Sequence, residues 1–139
     1  VNFLLDTNVV SELRKPAHRA DPGVRAWAAA HAPTGLHLSA ITILEIEIGI
    51  GRRRRHDPSQ ADRLQAWLDA DVLEMFGSRI LPVDVPVARR AARLHVPDPR
   101  PERDALIAAT AAVHGMTVVT RNIGGFSELD VPLVDPFST

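Results

Sequence analysis

The chain has 139 residues, 45% hydrophobic and 24% charged, which fits one globular domain over residues 1–139 and excludes a disordered or fibrous chain. With no Cys, a disulfide framework, a thiolate zinc site, an iron–sulfur cluster and a cysteine nucleophile all fall away. The formal net charge of -1, from 16 basic and 17 acidic residues, excludes a polycation that coats nucleic acid indiscriminately, so any such contact must be local.

No apolar run approaches the roughly 20 residues of a membrane span, and the opening Val1-Asn2-Phe3-Leu4-Leu5-Asp6 does not read as a signal peptide. A cytoplasmic protein without membrane contact is the expectation. The run Val1 to Leu5 reads as a strand covered on both faces, stopping at Asp6-Thr7-Asn8. A short helix from Val9 to Arg14 follows, ended by Pro16. Asp21-Pro22 caps and opens a helix through Trp27 to about His31, which Pro33-Thr34-Gly35 breaks. Leu36-His37-Leu38 is a brief strand, and Ser39 caps a helix that contains Ile41, Leu44 and Ile48 and whose end carries Arg52-Arg53-Arg54-Arg55.

Asp57-Pro58-Ser59 opens the next helix, with Leu64, Trp67, Leu68 and Val72 at core spacing and Gly77 closing it. Ile80 to Val83 is a strand ending at Asp84, and Val85 to about His95 is helical. Pro97, Pro99 and Pro101 stiffen the connection into a helix from about Glu102 to His114, with Gly115 as its cap. Met116 to Val119 is a strand stopping at Thr120-Arg121-Asn122, and Leu133-Val134 is a last short one. This β-α alternation predicts an α/β fold with an open parallel sheet and helices on both sides.

In such a sheet ligands collect beyond the carboxyl ends of the strands, where strand order reverses. Those ends deliver Asp6 and, from the later strand, Thr120 and Asn122. Helix caps and turns use the same residue types, so neither end is decisive alone. Glu45 falls within an apolar stripe, and an inward carboxylate must be protonated, paired with an Arg or metal-bound. Glu47 points nearly the opposite way and reads as a surface acid. Asp104 stands in the first turn of the small, apolar helix Ala105 to Ala112, whose close approach to the sheet would carry it toward Asp6.

Three converging carboxylates repel, at about 3 kcal/mol per pair for ~5 Å and an effective dielectric near 20. All-oxygen ligands suit Mg²⁺ or Mn²⁺, and the chemistry that follows is metal-assisted phosphodiester hydrolysis. The six His residues form no pair at ligand spacing, and no Gly-rich phosphate loop or Gly-x-Ser-x-Gly is present. The basic side is almost all Arg, with Lys15 the only Lys. Arg grips phosphate bidentately, yet genome composition produces the same usage, and both readings of the tetra-Arg run stay open. A phosphoacceptor receiver domain would want paired acids after the first strand and a late Lys. A haloacid-dehalogenase phosphatase would want a second carboxylate at Asn8.

Leu4-Leu5-Asp6-Thr7-Asn8-Val9-Val10-Ser11-Glu12-Leu13, Ser39 to Ile46 around Glu45, Asp104 to Ala111, and Val119-Thr120-Arg121-Asn122 resemble, in family order, the PIN-domain ribonucleases. Within that family the chain is most similar to the VapC toxins of bacterial toxin–antitoxin pairs, in the branch that includes the FitB-like proteins. The resemblance implies a single PIN domain with a five-stranded parallel sheet in an α/β/α sandwich. It implies that Asp6, Glu45 and Asp104 are metal ligands for Mg²⁺ or Mn²⁺, with Thr120 and the catalytic candidate Asn122 in the same polar site. It also implies a homodimer that hydrolyses RNA such as tRNA, a VapB-like antitoxin that neutralises it, and operator DNA reached only through that antitoxin. Gly125 stands where many relatives carry a fourth acid, which leaves a second metal open, with Glu128 and Asp130 as nearby acids. A catalytically weak PIN-like module that binds RNA or protein as a dimer is the alternative.

Overall fold

The computed structural model describes residues 1–138. Five parallel strands, β1 (Phe3–Leu5), β2 (Leu36–Ser39), β3 (Ile80–Leu81), β4 (Thr117–Val119) and β5 (Leu133–Val134), lie in the order β3-β2-β1-β4-β5. From β1 the chain winds outward through β2 and β3, then returns to place β4 on the other side of β1. The reversal therefore falls between β1 and β4, where Leu5 pairs with Val119 and the next residues are Asp6 and Thr120.

Successive strand residues face opposite sides, so one sheet supplies two cores. Leu5, Leu38 and Val119 pack with Val9 and Val10 of α1 (Thr7–Arg14), Val24 of α2 (Pro22–Ala29) and Ile46 and Ile50 of α3 (Ala40–Arg54). That face is completed by α4 (Pro58–Trp67) and α5 (Leu73–Phe76), which are joined by a π-helical turn at Leu68–Val72. On the opposite face Leu4 and Val118 pack with Ile107, Ala108 and Ala111 of α7 (Glu102–His114) and with Phe126 of α8 (Ile123–Phe126). The outer helix α6 (Val85–Leu94) buries Val87 and Ala91 against Ala109. Alanines let α7 sit close to both the sheet and α6. Gly115, at φ 67°, supplies the left-handed residue that turns α7 into β4.

Several boundaries differ from expectation for local reasons. Helix α1 begins at Thr7, because the Asp6 carboxylate caps it directly. Strand β3 ends at Leu81, before Pro82, which has no N–H for a ladder. Beyond Asn122 the chain forms the short helix α8, which Asn122 caps by accepting the Gly125 N–H. On α3, Ile41, Thr42, Ile46 and Ile50 are buried, whereas Leu44 is 46% exposed. Ile occurs at nearly every other position from Ile41 to Ile50, so periodicity could not choose the face. Among the described residues no helix is long and apolar enough to cross a membrane.

Candidate active site

Asp6 leaves β1 and becomes the N-cap of α1. One carboxylate oxygen accepts the Thr7 N–H at 2.8 Å; the other accepts the Thr120 hydroxyl at 2.8 Å and the Asn8 amide at 3.3 Å. Thr120 is fully buried, and its oxygen accepts the Asn122 N–H at 2.9 Å and the Asn8 amide at 3.4 Å while its proton goes to Asp6. The Asn8 carbonyl accepts the Arg121 N–H at 3.2 Å. Asn8 and Thr120 thus tie the two strand exits together across the reversal point, and Asp6 has little rotational freedom.

Glu45, on α3, accepts the Thr7 hydroxyl at 2.6 Å, and Thr42 lies 3.3 Å from that same hydroxyl. Its second oxygen is 3.7 Å from the Arg103 guanidinium, which is half exposed. Asp104 sits beside Arg103 in the first turn of α7, half-buried. Burial pushes the Asp6 carboxyl above its ordinary range; hydrogen bonds from Thr120 and Thr7 oppose this, and the Glu45 charge adds to it. Asp104 is also raised, by burial first and then by the charges of Asp6 and Glu45, against a lowering by Arg103. The three acids therefore act on one another electrostatically.

They do not close into a ligand cage. Among the described residues no three His, Asp or Glu side chains are drawn together tightly enough to hold a metal ion. Asp6 and Glu45 turn instead to hydroxyl and amide donors. The donor chemistry nevertheless fits a hard divalent cation: oxygen ligands only, two of them partly desolvated and mutually repelled, and one loosely placed Arg as the neighbouring positive charge.

Asn122 meets this polar cluster through its backbone. Its backbone N–H supports Thr120, while its side-chain carbonyl caps α8. A Cβ on Gly125 would fall 2.2 Å from the Asn122 amide nitrogen, so the Asn122 side chain fills the space that a side chain at 125 needs. Glu128 pairs with Arg100, and Asp130 lies 3.6 Å from Arg90; neither leans into the acid cluster. Sequence reasoning passed over Thr7 and Thr42, which position Glu45, and Arg103, which neighbours it. Their signals were adjacency to Asp6, i,i+3 spacing to Glu45, and adjacency to Asp104.

A family model described as PIN domain matches residues 3–132. Toxin FitB of Neisseria gonorrhoeae is 36% identical, covering 97% of this chain and 98% of its own length. VapC ribonuclease Y4jK of Sinorhizobium fredii is 34% identical, covering 97% of each chain. The crystal structure of FitAcB from Neisseria gonorrhoeae superimposes with a TM-score of 0.86 at 34% identity, covering 96% of this chain and 97% of that one.

Proposed function

The chain belongs to the PIN domain family, and on this premise we propose that it is a divalent-cation-dependent endoribonuclease toxin of the VapC type, folded as one domain over residues 1–139. The observation that carries this reading is the geometry at the reversal point of the sheet, where Asp6 is held by the Thr120 hydroxyl and the Thr7 N–H, and Glu45 is held beside it by the Thr7 hydroxyl. Relatives named as a toxin and as a VapC ribonuclease support the substrate class. Asp6, Glu45 and Asp104 are the residues that would hold Mg²⁺ or Mn²⁺. When bound, such a cation supplies charge neutralisation and Lewis-acid polarisation of a phosphodiester.

The chain's own residues do the rest. Thr120 and the Thr7 N–H hold Asp6 in one orientation, so its carboxylate is presented without reorganisation. The Thr7 hydroxyl fixes Glu45 toward the same pocket. Arg103, on the rim, offers a guanidinium to a phosphate. Purified protein should cleave an RNA pool in Mg²⁺ or Mn²⁺ and stop in EDTA. Asp6→Asn, Glu45→Gln and Asp104→Asn should each lower cleavage by about 10²-fold or more with an unchanged circular dichroism spectrum. Unchanged cleavage in any two of them overturns the proposal.

We further infer a cytoplasmic homodimer and a small antitoxin as partner, with operator DNA contacted only through the antitoxin. Coexpression with the neighbouring small reading frame tests this, by rescue of growth and copurification. A second reading, a catalytically weak module that binds RNA or protein, draws on Gly125 and on the Asn122 side chain filling the space above it. The same cleavage assay decides between the two.

A further inference from the structure

A groove of about 230 Å³ runs between α1 and α3. Thr7 and Glu45 line it where they meet the acid cluster, and Arg14 and Arg53 line it as well. Arg14 follows Thr7 by seven residues on α1, and Arg53 follows Glu45 by eight on α3, which is ~10 and ~12 Å of helix rise. Each arginine therefore lies about two turns along its own helix from the residue that meets the acid cluster, and both line the same groove.

Both arginines are exposed, and among the described residues neither makes an ion pair, whereas Arg54 beside them is engaged by Asp62 at 2.7 Å. Asp71 lines an adjoining apolar cavity with Arg14 and does not pair with it. Two unpaired cations lining one groove favour an anionic occupant, and guanidinium groups suit phosphate. Gly49 also lines the groove, and a Cβ placed there meets nothing within 4 Å. Glycine weakens a helix interior relative to alanine, and no packing contact requires it here. Its bare backbone leaves the groove open, with Ile46 and Trp67 as the apolar side.

We propose that this groove holds the single-stranded RNA next to the scissile phosphodiester, with Arg14 and Arg53 gripping its backbone phosphates. The inference rests on the ribonuclease reading for what lies at the acid end. A strand whose reacting phosphate sits at Asp6 and Glu45 must continue away from them, and this groove, which Glu45 lines together with Arg14 and Arg53, offers it positive charge. Arg53 then gives the tetra-Arg run a role that Arg54, held by Asp62, does not share.

The test is fluorescence anisotropy with a labelled single-stranded oligoribonucleotide and Mn²⁺, every variant carrying Asp104→Asn to stop turnover. Arg14→Gln with Arg53→Gln should raise Kd at least tenfold. It should also flatten the dependence of log affinity on log salt by about 1.4, for two phosphates on a single strand. Arg52→Gln with Arg55→Gln removes the same charge outside the groove and should shift Kd less than threefold. Equal shifts from both pairs, or none from the groove pair, overturn the proposal. So does a groove pair that binds RNA normally but loses a copurifying protein partner, because the groove then belongs to that partner. RNA held through Arg14 and Arg53 yet never cut by the wild-type chain would sink the nuclease reading and leave the groove standing.

Discussion

Asp104 shows how competing local effects settle at one residue. Its place in the first turn of α7 favours an anion by about 0.3–1 kcal/mol. Burial and the charges of Asp6 and Glu45 oppose it and push the carboxyl up, against a lowering by Arg103. Asp104 donates or accepts no side-chain hydrogen bond among the described residues, so Asp104→Asn removes a repelled charge and leaves no donor stranded. After screening at a half-exposed site the relief is at most about 1 kcal/mol. The variant's metal-free melting temperature should rise by about 2–4 °C, and Mn²⁺ should then raise it less than it raises the wild type. A fall in the metal-free value would show that the anion serves α7 more than it burdens the cluster. Asp6 makes a poorer test, because its two oxygens accept three hydrogen bonds that an amide cannot all reproduce.

At the scale of the element, α3 combines several tasks that its sequence records unequally. Ser39 caps it through the Ile41 N–H at 3.0 Å, and Arg52, Arg53 and Arg54 complement the negative end of its dipole. Both features were legible from residue type alone. Its buried face was not, because Ile41, Ile43, Ile46, Ile48 and Ile50 offer apolar surface on most sides, and only packing on α4 and the sheet selects Ile46 and Ile50. Gly51 lies in the same helix with open space around it. Unlike Gly49, it does not line the groove. Gly51→Ala should therefore stabilise the chain by about 0.5–1 kcal/mol, read as a higher urea midpoint with RNA affinity unchanged. A loss of stability would mean that this turn of α3 is not regular helix in solution.

Across the whole molecule, Ser138 is fastened back onto the first third of the chain. The Ser138 hydroxyl and N–H both donate to Asp21, at 2.6 and 3.0 Å, and Asp21 also caps α2 through the Gly23 and Val24 N–H groups. Those bonds hold the Asp21 carboxyl down to about 2, from an ordinary 3.8. A carboxyl lowered on folding stabilises the native state above its unfolded pKa, and the contribution is lost as pH falls through the folded value. The urea midpoints of wild type and Asp21→Ala should differ above pH 4 and converge as pH approaches about 2. A gap that is constant across this range would mean that the tail does not engage the ionised carboxylate.

The sequence by itself determined the parallel α/β alternation, the two strand exits that carry Asp6 and Thr120, the buried small-residue helix behind Asp104 and the candidacy of Glu45. Each of these is written in turn residues, caps and apolar runs that act over a few positions. Only the tertiary structure decided that Thr7 rather than an arginine is the close partner of Glu45, that Asn122 supports Thr120 and fills the space above Gly125, and that Arg14 and Arg53 share one groove. These are contacts between side chains brought together by the order of strands in the sheet. Local propensity carries no information about which distant hydroxyl, amide or guanidinium will arrive there, because that is set by how two packed faces of one sheet bring separate helices to the same edge.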